Sequence, residues 1–200
     1  MKQSITRFFL FQGLLIPFIF WLSVIVAGMQ NENYSHVRDT ISALGAIGAK
    51  SENLMEISTW LCSLLSIPFL IGLFNVCRQE KLKKAPLLGI VGFTVMLGWA
   101  AFYHSGNPMH SKSGPILLLL LLGPLLSAIL WKRKELKNLR MLSLISFFIM
   151  LFILIRAIPS ETIQMNYTGL IQRFVHFGWT VWFIALSLGF LRLLNISVKK

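Results

Sequence analysis

Six runs of apolar residues, each about as long as a bilayer-spanning helix, decide what this chain can fold into. They cover roughly 8–29, 54–77, 85–104, 115–131, 141–158 and 174–194. A helix rises ~1.5 Å per residue, so about 20 mostly apolar residues cross ~30 Å of hydrocarbon. In lipid the backbone N–H and C=O groups have to be satisfied within the spanning structure, which selects helices for single runs of this length. The composition agrees: 56% of residues are hydrophobic and 13% are charged, where soluble domains carry about 25% charged residues. The predicted fold class is all-α, a polytopic six-transmembrane-helix bundle forming one domain over residues 1–200. Lys2 and Arg7 precede the first run as they would in a signal peptide. That run is longer than the usual ~7–15 apolar residues and no small-x-small cleavage text follows, so a retained first helix is expected.

The net charge of +12 has a topological explanation. Lys and Arg cluster at the amino end, around 78–84, around 132–140 and at the carboxyl end, leaving only Arg38, Lys50, Lys112, Arg156 and Arg173 on the other side. The positive-inside rule then puts both termini in the cytoplasm of a bacterial inner membrane. Outside, five acids balance the five bases, so the whole excess lies inside, where anionic headgroups are the expected partner. The basic clusters fall between spans with no room for a separate domain, so a nucleic-acid partner is not expected. Cys62 and Cys77 lie on one predicted helix, too far apart for a disulfide.

In this topology all four histidines reach the outer face. His36 lies in the first outer loop, His104 ends the third helix, His110 precedes the fourth, and His176 is one turn into the sixth. The loop at 30–53 is the longest connection and is expected to cover the bundle mouth. If Tyr34–Gly45 is helical, His36 with Asp39, and Arg38 with Ser42, form polar pairs at spacings of three and four, with Ile41, Leu44 and Ile47 on the apolar side. Asn53 with Glu56 resembles a capping box for the second helix. Arg173 and His176 share a face of the sixth helix. Arg173 either turns inward to an acid, Asp39 or Glu161, or snorkels to the headgroups. The candidate ligand-binding set is therefore His36, Arg38, Asp39, Ser42, Arg173 and His176. Zn²⁺ is a chemically sound alternative for His36, Asp39, His104, His110 and His176, although their spacing matches no zinc signature.

Beyond these residues, the text Tyr34-Ser-His-Val-Arg-Asp-Thr-Ile-Ser-Ala-Leu-Gly45-Ala resembles a prokaryotic six-helix membrane family catalogued as domain of unknown function 998. The resemblance continues at Phe102-Tyr-His-Ser-Gly, His110-Ser-Lys-Ser-Gly114 and Gly169-Leu-Ile-Gln-Arg173. That family is in turn similar to eukaryotic membrane proteins related to the FGF-receptor-activating, autophagy-modulator and yeast lipid-retention proteins. This wider similarity implies an association with membrane lipid and supplies no catalytic residues. His36 and His104 depart from the expected pattern. The leading expectation is an integral membrane protein that binds a lipid headgroup or small amphiphile at an extracytoplasmic polar pocket. A zinc-dependent intramembrane hydrolase acting on a lipid or amide is the alternative. A transporter stands third, because the central stretches of all six spans are uncharged.

Overall fold

The computed structural model describes residues 3–197. Among these residues, six helical stretches are long and apolar enough to cross a membrane: Gln3–Gln30, Glu52–Gln79, Ala85–Phe102, His110–Leu130, Lys134–Ala157 and Thr168–Ile196. Their α-helical parts are α1 (Gln3–Gln30), α3 (Glu52–Gln79), α4 (Leu88–Phe102), α5 (Ile116–Leu130), α6 (Lys137–Met150) and α8 (Thr168–Ser197), with the short helices α2 (Ile41–Leu44) and α7 (Glu161–Asn166) in connections. Pro17, Pro68 and Pro124 lie inside α1, α3 and α5, as the sequence indicates.

Each span packs on the next, and α8 returns to α1, closing a ring in chain order. The helices are apolar all round because their outer faces meet lipid. On α1 the rings and branches of Phe8, Phe11, Phe18, Leu22 and Ile25 point outward, while Leu10, Ile16, Phe20, Val24 and Ala27 are buried. Lipid gives helices little hydrophobic reason to associate, so close backbone approach and interhelical hydrogen bonds have to hold them. Ser187 Oγ on α8 donates to the Leu10 carbonyl on α1 at 2.8 Å. Ser63 Oγ on α3 donates to the Thr94 carbonyl on α4 at 2.9 Å, and Ser146 Oγ on α6 to the Gly178 carbonyl on α8 at 2.6 Å. At the α4–α5 crossing Gly89 and Gly123 face each other, and a Cβ on either one would fall within 2.8 Å of the other's Cα. Helix α8 is the most enclosed span; Trp179, Trp182, Phe183 and Phe190 are all fully buried.

Three departures from the expected elements bear on the site. The sixth span begins at Thr168 rather than Phe174, so Gln172 and Arg173 lie inside the helix. Their polarity ends the hydropathy signal, yet the first loop supplies partners for both. The fifth span changes from α-helix to 3-10 helix at Leu151 and continues so to Ala157. The loop helix is confined to Ile41–Leu44, capped by Thr40 Oγ1, which accepts from the Ala43 N–H, so the pairs His36–Asp39 and Arg38–Ser42 on one long helix do not form.

At the end opposite the first loop, Arg133 Nη1 pairs with Glu80 at 2.6 Å and Arg7 Nη2 donates to Asn195 at 2.6 Å. The Glu80 bond raises the Arg133 pKa above its ordinary value. Lys2, Lys199 and Lys200, counted for orientation, lie outside the described residues.

Candidate functional site

The chain between α1 and α2 is a strap bound to the start of α8. Helix starts leave N–H groups without intrahelical acceptors. Here the Gly169 N–H donates to the Arg38 carbonyl at 3.1 Å and the Leu170 N–H to the Val37 carbonyl at 2.8 Å. One turn on, Gln172 Oε1 accepts the Ile41 N–H at 2.6 Å. The backbones touch: a Cβ at Gly169 would lie 2.2 Å from the Asp39 carbonyl oxygen, so only glycine fits.

Arg173 locks the strap. Its Nη1 donates to the Asp39 carbonyl at 2.9 Å and to the Gly169 carbonyl at 3.0 Å. Its Nη2 donates to the Tyr34 hydroxyl at 2.6 Å and to His36 Nδ1 at 2.9 Å. The expectation that Arg173 turns to protein partners holds, but its partner at Asp39 is the carbonyl and not the carboxylate. That carboxylate is taken by the Arg38 guanidinium at 2.9 Å and the Ser35 N–H at 2.8 Å, and Arg38 holds it below the ordinary Asp pKa. Burial raises the Tyr34 pKa against the opposing pull of Arg173.

A guanidinium only donates, so His36 Nδ1 has to be unprotonated to accept from it. Partial burial, joined by the Arg173 charge, lowers the His36 pKa from its ordinary 6.5. A lowered folded-state value means that the contribution to stability is complete above about 6.5 and is lost as pH falls through that lowered value. Thermal unfolding in detergent is therefore expected to shift downward between pH 7 and pH 5. His36→Asn, which offers a non-titrating acceptor, should flatten that dependence; parallel pH profiles for parent and variant would contradict it.

Beneath the strap lies a cavity of about 240 Å³ to which all six spans and α2 contribute lining residues. Its depth is apolar, with Phe20, Met96 and Leu117. Phe20 is ten residues from the end of α1, about 15 Å down the helix and so near mid-membrane. Its mouth is polar, with Ser42, Glu56, His104, His110 and Arg156, and His176 adds one polar ring at the depth of Phe20. His176 stacks on Phe20 with ring centroids 4.7 Å apart, and its Nδ1 accepts the Trp179 indole N–H at 2.9 Å. Neutral His176 therefore carries its proton on Nε2 and is a donor. His104 Nδ1 meets Glu52 at 2.8 Å while its Nε2 stands 3.7 Å from Glu56. His110 Nδ1 meets the Tyr103 carbonyl at 2.6 Å.

The structure thus divides the sequence-derived set. Ser42, His104, His110 and His176 line the cavity, while His36, Arg38, Asp39 and Arg173 build the strap lock above it. Among the described residues no three His, Cys, Asp or Glu side chains stand close enough to hold a metal ion. The five zinc candidates are drawn apart by other bonds: His36 to Arg173, Asp39 to Arg38 and His176 to Trp179. The capping box expected of Asn53 with Glu56 does not form: the helix starts at Glu52, and Glu56 follows it by four residues on the same face, toward His104.

The four stretches of text that carry the family resemblance meet in space. The Ile47 N–H donates to the Ser105 carbonyl at 3.0 Å, joining the first loop to the 102–106 segment, and the strap joins the 169–173 segment. A family model described as Protein of unknown function (DUF998) matches residues 14–189. The chain belongs to the DUF998 family. No curated protein and no solved structure matches it. The DUF998 match spans the strap, its α8 docking site and every cavity residue named above.

Proposed function

We propose that this multi-pass membrane protein binds a lipid headgroup or small amphiphile in the cavity under the strap, on the extracytoplasmic side. One observation carries the reading: a single cavity joins an apolar depth at Phe20, Met96 and Leu117 to a polar mouth at His104, His110 and Arg156. An amphiphile needs that order of surfaces, with its chain among apolar side chains and its head among donors and acceptors. The orientation rests on the excess of Lys and Arg at the opposite end. Cysteines placed at Lys50 and Lys112 should react with a membrane-impermeant maleimide in intact cells, and cysteines at Lys83 and Lys137 should not; the reverse pattern would overturn the sidedness.

Binding is tested by filling the cavity from within. Ala100 lines it, and Ala100→Phe should cut co-purified phospholipid, counted by native mass spectrometry, by about tenfold, as loss of a buried apolar site is worth one to two kcal/mol or more. Parent and variant carrying the same lipid complement would contradict the proposal.

A further inference from the structure

The cavity mouth carries opposite charges on opposite walls, and the fold uses neither fully. Arg156 lines it from the 3-10 part of the fifth span, and its side chain makes no hydrogen bond or ion pair among the described residues. Glu56 lines it from α3, which stands across the ring of spans from the fifth. The one ionisable side chain paired with it among the described residues is His104, whose Nε2 stands 3.7 Å away, and the other nitrogen of that ring is already held by Glu52.

A guanidinium suits a phosphate taken two oxygens at a time, and a carboxylate suits the N–H donors of a primary ammonium. A purely anionic head would bring negative charge toward Glu56 with nothing to offset it. A quaternary ammonium has no N–H to give, and the aromatic ring of Phe20 lies in the apolar depth rather than at the mouth. Gln172, which also lines the cavity, has its oxygen occupied by the Ile41 N–H and keeps its amide N–H₂ as a donor for phosphate oxygens, while His176 keeps its Nε2–H deeper in the cavity beside Phe20.

From this pairing we infer that the ligand is a zwitterionic phospholipid whose head carries a phosphate and a primary ammonium, with the phosphate on Arg156 and the ammonium on Glu56. The inference rests on the reading of the cavity as an amphiphile site. In the test, the full-length protein is equilibrated with vesicles of equal parts ethanolamine, choline and glycerol phospholipids of identical chains, and the lipids that it retains are counted by native mass spectrometry. Lipid retained equally by Ala100→Phe is subtracted as surface lipid.

The parent should retain the ethanolamine lipid about tenfold over the glycerol lipid, the scale of one charge-assisted hydrogen bond. Glu56→Gln should abolish that preference while still retaining phospholipid. Arg156→Gln should lower retention of all three, and Glu32→Gln, whose carboxylate pairs with Lys50, should change nothing. Preference for the glycerol lipid, equal retention of choline and ethanolamine lipids, or a Glu56→Gln variant with unchanged preference would overturn the headgroup assignment and leave the amphiphile site standing. No cavity-dependent lipid in the parent would overturn both.

Discussion

Arg173→Ala should lower the stability of the protein in detergent by about 3 kcal/mol, since it removes four charge-assisted hydrogen bonds, takes from the part-buried Tyr34 hydroxyl its donor, and leaves the Asp39 carbonyl only the 3.3 Å bond from that hydroxyl. Arg173→Lys should recover only a minor part of the loss. One ammonium cannot span the two Nη positions, which divide their bonds between two carbonyls on one side and a hydroxyl with a ring nitrogen on the other. The loss is local before it is global, because the strap peels from α8 without opening the bundle. Limited proteolysis should therefore cut within 31–51 in both variants at temperatures where α1 and α3 stay intact. A Lys variant as stable and as resistant as the parent would mean that Arg173 serves only as an anchor to headgroups.

A comparably large effect is expected at the opposite half of the bundle, from one added methyl group. A Cβ at Gly123 would lie 2.3 Å from the Trp182 ring and 2.8 Å from the Gly89 Cα. Trp182 cannot retreat, being fully buried with its indole N–H on Ser127 Oγ at 3.2 Å. Overpacking of a close-packed site costs about 1–3 kcal/mol and more where the backbone has to move, and here α4 and α5 would have to separate. Gly123→Ala should thus lower the unfolding temperature sharply and reduce the yield of monodisperse protein. Adding Trp182→Phe, which removes the ring atoms nearest the new methyl, should restore part of the loss. Independent, additive losses for the two substitutions would contradict the packing account.

The six spans are legible in the sequence because lipid imposes a single requirement, an apolar run of sufficient length, and each run meets it. The start of α8 is not, because Gln172 and Arg173 read as a polar boundary until the strap carbonyls are known to meet them. The strap itself looks like an amphipathic helix from Tyr34 to Gly45. Its residues instead spend their backbone carbonyls on Arg173 and on the first N–H groups of α8, an arrangement that depends on partners about 130 residues away in the chain. The histidines are legible as lying toward one end of the bundle but not as separate sites, since spacing cannot say that His36 faces Arg173, that His104 and His110 line the cavity, and that His176 lies deeper against Phe20. Glu52 and Glu56 carried a usable signal: two carboxylates four apart at a helix start, level with His104.

That the cavity under the strap holds an amphiphile is tested most directly by photo-crosslinking. A phospholipid with a diazirine on its acyl chain is incorporated into membranes containing the protein, irradiated, and the modified peptides are identified by mass spectrometry. Modification is expected at cavity residues such as Met55, Met96 and Leu117, and should disappear in Ala100→Phe while labelling of the lipid-facing Phe18 and Phe148 persists. Labelling confined to the lipid-facing residues, identical in parent and variant, would contradict the account.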